Sequence, residues 1–426
     1  WMEMNMQAGN NKEVDAVVVG AGFTGLYQLY KFRQMGLSVQ VLEAGTAVGG
    51  TWYWNRYPGA RTDSESRVYQ YWFSDELLDE WDWSERFPAQ EETERYLNYV
   101  AKKFDLEKDI QFNSRVTAAT YNEDSKRWTV TIEDGSTVSC QFFVMGAGGL
   151  SVPNTPDIPG VEDFKGTRVH TSRWPQAGID LAGKRVGIIG TGATGIQVVQ
   201  SIASQVGSLT VFQRTPNYAI PMNNPKFDDA ERRKMRAEYP EIREQVNKTF
   251  GGHFWGSDER PFFEVDEQER EKRLRDLWED GSLQFWVGSY ADLFLEENVS
   301  KVFSKFVAER IRERVKDPAT AEKLIPIDHE FGTRRVPLET GYFEAYNRDN
   351  VSLIDLNEDP IDHIDATGIV TRSGHHDLNI LIFATGFDAG TGALTSVDIR
   401  GRDQRQLSAE WDKNGINTYL GLQVNG

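Results

Sequence analysis

Two stretches of the chain share one order of apolar and polar positions. In the first, "DAVVVGAGFTGLYQLYKFRQMGLSVQVLEAG", an apolar run from Ala16 to Val19 precedes a glycine turn. An amphipathic segment from about Thr24 to Met35 follows, then a second apolar run ending at Glu43. Short uninterrupted apolar runs predict strands buried on both faces of a parallel sheet, and the helical period between them predicts a crossover helix. The second stretch, "KRVGIIGTGATGIQVVQSIASQVGSLTVFQRTPNY", repeats the order and ends its second strand on Arg214. Each half then carries a hairpin-like turn, at Asp134-Gly135 and Ser373-Gly374, and a strand that returns into a glycine turn, "CQFFVMGAGG" and "LNILIFATGFD".

From about Ala219 to Ile327 the alternation stops. "DDAERRKMRAEYPEIREQVNK", "DEQEREKRLRDLW" and "VSKVFSKFVAERIRERVKD" have helical period, with Asp228 and Asp229 as cap residues and Pro318 closing the last run. The pattern predicts an α/β protein: two Rossmann-like dinucleotide-binding domains with an inserted helical subdomain. The expected boundaries are residues 1–149, continued by 385–426, for the first domain. The second is expected to take 150–384, with the insertion at about 219–327. The insertion is rich in aromatics, among them Phe250, Phe254, Trp255, Phe262, Phe263, Trp278, Phe285 and Trp286. These form either a helical core or the lining of an apolar substrate cavity.

The glycines give both halves a chemistry. Gly20, Gly22 and Gly25 in the first half, and Gly190, Gly192 and Gly195 in the second, keep the G-x-G-x-x-G spacing between strand and helix. The first glycine permits the turn, the second lets a pyrophosphate approach, and the third lets helix and strand pack closely. The free N–H groups and positive dipole end of the helix then bind phosphate. Glu43, at the end of the first unit, can accept hydrogen bonds from ribose hydroxyls, which suits FAD or NAD. The second unit carries Arg214 and Thr215 at that place, and a guanidinium there suits the 2′-phosphate of NADP. One acid-ended and one arginine-ended unit imply a flavin with NADP(H), since hydride passes readily between them.

Composition narrows the setting. A net charge of −18 over 426 residues disfavours nucleic acid and anionic membranes as partners. No apolar run approaches a membrane span, and the first residues lack the basic and apolar regions of a signal peptide. Cys140 is the single cysteine, which excludes intrachain disulfides and points to the cytoplasm. The six histidines are scattered without ligand spacing, so no metal site is expected.

One stretch, "FKGTRVHTSRWP", reads as neither helix nor strand. It places Phe164, Gly166, His170 and Trp174 just upstream of the second glycine unit. This spacing resembles the F-x-G-x-x-x-H-x-x-x-W fingerprint of the Baeyer–Villiger monooxygenases, at all four positions and with Pro175 following. "GGTWYWNRYPGARTDSES", "FGTRRVPLET" and "ATGFD" resemble further signature segments of that family. The resemblance runs from about Asp15 to Gly421.

The resemblance implies an FAD-containing, NADPH-dependent monooxygenase that inserts one atom of O2 beside a ketone carbonyl through a C4a-peroxyflavin, giving an ester or lactone. It implies that Arg335 and Asp63 are the active-site pair, with Arg335 stabilising anionic oxygen and Asp63 orienting the guanidinium. It further implies that Gly50, Thr51, Trp52, Tyr57 and Asp63 belong to the FAD site. Thr194 and Arg334 would belong to the NADP site, and His170 and Trp174 to a linker that couples cofactor binding to domain movement. Family members continue beyond "YLGLQVNG", so the first domain is expected to be incomplete at its C-terminus. The alternatives are a flavin monooxygenase acting on nitrogen or sulfur, against which Trp174 argues, and an NADP(H)-binding fragment without oxygenase activity.

Overall fold

The computed structural model describes residues 12–249 and 251–424. The N-terminal stretch read above as lacking a leader lies outside them, as does Phe250. The chain forms two compact units. The first comprises residues up to 54, 93–154 and 386 onward; the second comprises 55–92 and 155–385.

The first unit is built on strand β1 (Lys12–Val19), helix α1 (Phe23–Gln34) and strand β2 (Val39–Leu42). Ala16, Val17 and Val18 are fully buried, which is why the strand reads as an unbroken apolar run. β1 pairs in parallel with β2 on one side and with Thr137–Met145 on the other. That returning strand begins an antiparallel ladder with Arg127–Ile132 and Val116–Asn122, and Asp398–Arg400 closes the seven-stranded sheet. Its core joins Val14, Val17 and Val19 to Val116, Val130, Val138, Cys140 and Ile399.

The second unit repeats the plan with β3 (Arg185–Ile189), α2 (Ala193–Ile202) and β4 (Ser208–Gln213). Here five strands lie in the order Val351–Asp355, β4, β3, Ile380–Phe383, Thr167–His170, and every pairing is parallel. A separate antiparallel sheet, Ile361–Ile364 with Gly368–Thr371 and Gly374–Asp377, holds the predicted Ser373-Gly374 turn.

The insertion is helical. Asp228 caps helix Asp229–Val246 by accepting the N–H groups of Ala230 and Glu231, while Glu231 returns a bond to the Asp228 N–H. In helix Glu297–Arg314 the fully buried Val299, Phe303, Val307 and Ile311 recur every four residues, one stripe facing the core. Pro318 does not close this run; it opens a further short helix, Pro318–Leu324, behind the cap Asp317. Phe262 lies tilted against Phe303, Phe285 meets Phe303 and Phe331 edge-on, and Phe303 stacks on Phe331, so the buried Phe262 and Phe285 are core. Among the described rings of that group, Phe263 is the exposed one, at 55%.

Two features differ from the sequence reading. Residues 55–92 pack with the second unit, although they follow the first glycine unit in sequence. Their partners are polar and distant: Asn224 bonds the Glu85 carboxylate and the Phe87 backbone, and Arg86 bonds Asp280. The other difference is the fingerprint stretch. Thr167–His170 is a regular edge strand that pairs residue for residue with Ile380–Phe383. Phe164 and Trp174 are buried in the cores of the second unit.

Among the described residues no helix is long and apolar enough to cross a membrane, and no cluster of His, Cys, Asp or Glu could hold a metal ion. Cys140 is a fully buried free thiol whose pKa burial pushes up to about 11. Ellman's reagent at pH 8 should therefore leave the folded protein unmodified and titrate one thiol per chain in denaturant. Rapid reaction of the native protein would contradict the packing around this strand.

Candidate functional site

The first glycine loop is shaped by close backbone approach. A Cβ on Gly25 would lie 1.8 Å from the Gly20 carbonyl oxygen, so only glycine lets α1 pack on β1 here. Gly22 meets Gly50, where an added Cβ would come within 3.3 Å of the Gly50 Cα. Gly50 thus builds the loop rather than standing apart from it. Thr51 and Trp52 begin the short helix Thr51–Trp54 immediately after. Glu43 is buried, and its two carboxylate oxygens accept the Ala21 N–H at 2.7 Å and the Gly45 N–H at 2.6 Å. Each oxygen keeps a lone pair for a ribose hydroxyl. An acid fixed beside a glycine cradle fits the adenosine end of a dinucleotide.

The second loop has the same cradle. Gly190 sits at φ +111°, and a Cβ on Gly195 would lie 2.2 Å from the Gly190 carbonyl oxygen. Above Gly192 nothing lies within 4 Å of an added Cβ, so this loop offers open space at the start of α2. Thr191 donates its hydroxyl to the Thr215 carbonyl at 2.8 Å, which brings Arg214 and Thr215 to the loop. Arg214 is exposed. These features fit a dinucleotide with an extra anionic group on its ribose. Arg334 is exposed as well and ion-pairs with Asp328 at 3.1 Å.

Asp63 and Arg335 meet. The Arg335 Nη2 donates to Asp63 Oδ2 at 2.6 Å, although 272 positions separate them in sequence. Asp63 is buried, with 3% of its side chain exposed, whereas Arg335 shows 58%. Oδ1 is also buried and accepts no hydrogen bond of good geometry. Burial therefore raises the Asp63 pKa above its ordinary value, against the opposing pull of Arg335. The carboxylate in turn holds the Arg335 proton more firmly. The result is a cation anchored from beneath and open above.

Tyr57 lies in the same unit. Its hydroxyl donates to Gln197 Oε1 at 2.9 Å, and burial pushes its pKa up to about 12, so it stays protonated. It is therefore directed at the helix of the second loop, while Gly50, Thr51 and Trp52 belong to the first unit. His170 caps a short helical turn: Nδ1 bonds Ser172, and Nε2 lies 3.4 Å from the Thr385 hydroxyl. Gly166 is pressed against Asn379, whose carbonyl oxygen would lie 2.4 Å from an added Cβ.

Three amides escaped the sequence reading. Gln197 bonds Tyr57 and the Arg61 carbonyl, Gln200 accepts the Thr340 N–H, and Asn217 donates to the Arg335 carbonyl. The one visible signal was a glutamine inside the apolar run "GIQVV".

Comparisons with known proteins find relatives along nearly the whole chain. A model described as flavin-binding monooxygenase-like matches residues 12–221. An acetone monooxygenase (methyl acetate-forming) of Gordonia sp. (strain TY-5) is 49% identical over 97% of this chain and 77% of its own length. A Baeyer–Villiger monooxygenase of Pseudooceanicola batsensis is 41% identical over 98% of this chain and 77% of its own. Among solved structures, OTEMO in complex with FAD and NADP superposes with a TM-score of 0.95 at 45% identity, covering 98% of this chain and 79% of that one.

The Asp63 pair makes a stability prediction. An unfolded Asp63 titrates near 3.8, and the folded one titrates higher. Between these values the folded state holds a proton that the unfolded state has released. Wild-type stability therefore falls as pH rises through that window. Asp63→Asn removes the titration, and Arg335 is exposed enough to be solvated by water. The variant should melt no lower than wild type at pH 7, with any advantage shrinking towards pH 4. A marked loss of melting temperature at pH 7 would show that pairing outweighs burial at this carboxylate.

Proposed function

This chain belongs to the flavin-dependent Baeyer–Villiger monooxygenases, and we propose that it inserts one atom of O2 between the carbonyl carbon of a ketone and a neighbouring carbon. The product is an ester or lactone. Two electrons and a proton from NADPH, with a second proton from solvent, take the other oxygen atom to water. Bound FAD supplies the oxygen-activating chemistry and NADPH the hydride. The ketone identity of the substrate follows the names of the relatives, one of which forms methyl acetate from acetone.

The first unit is assigned to FAD and the second to NADP. The N-terminal N–H groups of α1 and α2 bind the two pyrophosphates. Glu43, with its remaining lone pairs, holds a ribose. Arg214 and Thr215 recognise the 2′-phosphate, and Arg334 lends a second positive charge, moderated by Asp328. A reducing compartment such as the cytoplasm suits the single buried thiol.

The observation that carries the mechanism is the ion pair between buried Asp63 and half-exposed Arg335. Oxygen transfer to a ketone builds negative charge first on the attacking oxygen and then on the former carbonyl oxygen. Arg335 presents a guanidinium to that charge and stays protonated at any working pH. Asp63 fixes its plane through one short bond, so little reorganisation remains when the charge appears. Tyr57, neutral and bonded to Gln197, keeps the wall of the site protonated without adding a competing anion.

Arg335→Ala should keep FAD bound and still reduce it with NADPH, because that step places no anionic oxygen near residue 335. Ester formation should fall by roughly 10²–10³, the effect of removing one such donor, about 3–4 kcal/mol. NADPH consumption should then release hydrogen peroxide. Lysine should rescue poorly, since one ammonium cannot keep both the contact to Asp63 and its aim. Ester yield per NADPH, measured by gas chromatography, decides the matter; wild-type yield in the variant removes Arg335 from the mechanism.

The cofactor assignment has its own test. Arg214→Ala should raise the KM for NADPH about tenfold or more, the worth of a charge-assisted hydrogen bond, and leave that for NADH nearly unchanged. An equal rise for both would place the 2′-phosphate elsewhere.

A further inference from the structure

Gln197 lies on α2, two residues beyond the last glycine of the second loop. Its neighbours Ile196, Val198 and Val199 are fully buried, and Gln197 itself is 2% exposed. An amide in such a place must be hydrogen-bonded or it costs stability. Both of its ends are used, and both reach the segment that carries Asp63. Oε1 accepts the Tyr57 hydroxyl at 2.9 Å, and Nε2 donates to the Arg61 carbonyl at 3.2 Å. Having given its proton to Gln197, the Tyr57 oxygen can accept from Thr194, the loop residue whose side chain lies beside it.

The contact is close as well as polar. Between Tyr57 and Arg61, a Cβ on Gly59 would lie 2.0 Å from Ser201 Oγ and 2.6 Å from the Gln197 carbonyl oxygen. The segment therefore rests on the helix backbone at a distance that a larger residue could not share. Asp63 follows Arg61 by two residues. The Arg335 side is held from the same elements. Gln200, one turn along α2, accepts the Thr340 N–H at 2.8 Å, and Asn217, just after Thr215, donates to the Arg335 carbonyl at 3.1 Å.

We propose that Gln197 is a positioning residue that couples occupancy of the second glycine loop to the placement of the Asp63–Arg335 pair, through Tyr57 and the Arg61 carbonyl. A pyrophosphate at the start of α2 restrains the turn that carries Thr194. That restraint passes to Tyr57 and Gln197, and by the second amide bond to the backbone two residues before Asp63. With the loop empty, Tyr57 and Gln197 lack that restraint, and the backbone before Asp63 is left to its ties within the segment. The proposal rests on the roles given above to Asp63 and Arg335, but its primary readout does not.

That readout is hydrogen–deuterium exchange of the FAD-loaded, full-length protein with and without saturating NADP+. In wild type, NADP+ should slow exchange at least tenfold in peptides covering 57–66 and 331–340. Gln197→Met keeps the volume and helix propensity but removes both hydrogen bonds. It should bind NADP+ with a Kd within about threefold of wild type by calorimetry, lose most of the protection at 57–66 and 331–340, and keep it at 190–195. Gln197→Glu retains an acceptor for Tyr57 and should recover part of the protection. A purely structural glutamine would raise exchange equally with and without NADP+.

Protection at 57–66 that persists in Gln197→Met overturns the proposal, as does its absence in wild type. If Gln197→Met fails to fold, Tyr57→Phe carries the same test by deleting a single hydroxyl. Ester yield per NADPH separates the two readings. Lost protection with reduced yield supports both. Lost protection with wild-type yield leaves the coupling standing and overturns the role of the Asp63–Arg335 pair.

Discussion

Burying a carboxylate is tolerable only if something charged or polar meets it, and Asp63 is met on one oxygen by a guanidinium that is itself open to solvent. The surrounding second unit is organised to hold that asymmetry. Residues 60–66 are tied back to 86–90 by backbone bonds, with Thr62 on Pro88, Ser66 on Arg86 and Gln90 on Ala60. Arg86 anchors the tie to buried Glu65 and to Asp280 of the helical insertion. The insertion thus does more than add bulk, since its helices supply fixed partners for a segment that has no sheet of its own.

The two glycine loops show how one backbone solution serves two ligands. In both, the third glycine accepts a carbonyl oxygen closer than any Cβ allows, and in both the helix starts without a side-chain cap. The first loop is roofed by Gly50 and finished by a carboxylate whose oxygens already serve the backbone. The second is open above Gly192 and finished by an exposed arginine. The difference in charge sits at the strand ends, where a substitution alters the ligand without disturbing the turn.

What the sequence disclosed follows from this division. Glycines 20, 25, 190 and 195 were legible because backbone geometry leaves them no substitute, and glycines 22 and 192 because a pyrophosphate approaching there leaves no room for a side chain. The strands β1 to β4 were legible because burial on both faces concentrates apolar residues in them, although β2 carries Gln40 and β4 carries Thr210. Thr167–His170 was not, because an edge strand buries little and its polar residues, Thr167 and Arg168, face solvent. The allegiance of residues 55–92 was hidden for another reason: scattered side chains such as Arg61, Glu85, Arg86 and Asn224 hold them, and such bonds have no period to read. The meeting of Asp63 with Arg335 was suggested by resemblance to a family; spacing alone could not bring together residues so far apart. Gln197 left one trace, a polar residue where the helix should have been apolar, and only its partners explain it.

The described chain passes between its two units four times, after residues 54, 92, 154 and 385. Neither unit is therefore a continuous piece that could emerge from a ribosome and finish before the other begins. The first sheet waits for Asp398–Arg400 to complete its edge, and the segment bearing Asp63 waits for Asn224, Asp280 and Arg335 to be made. Closing loops of this length before their contacts reward them slows folding and leaves apolar strands exposed in the interval. Synthesis therefore leaves the first unit unfinished until residues 398–400 are made, and its apolar strands stay open to wrong partners for that interval.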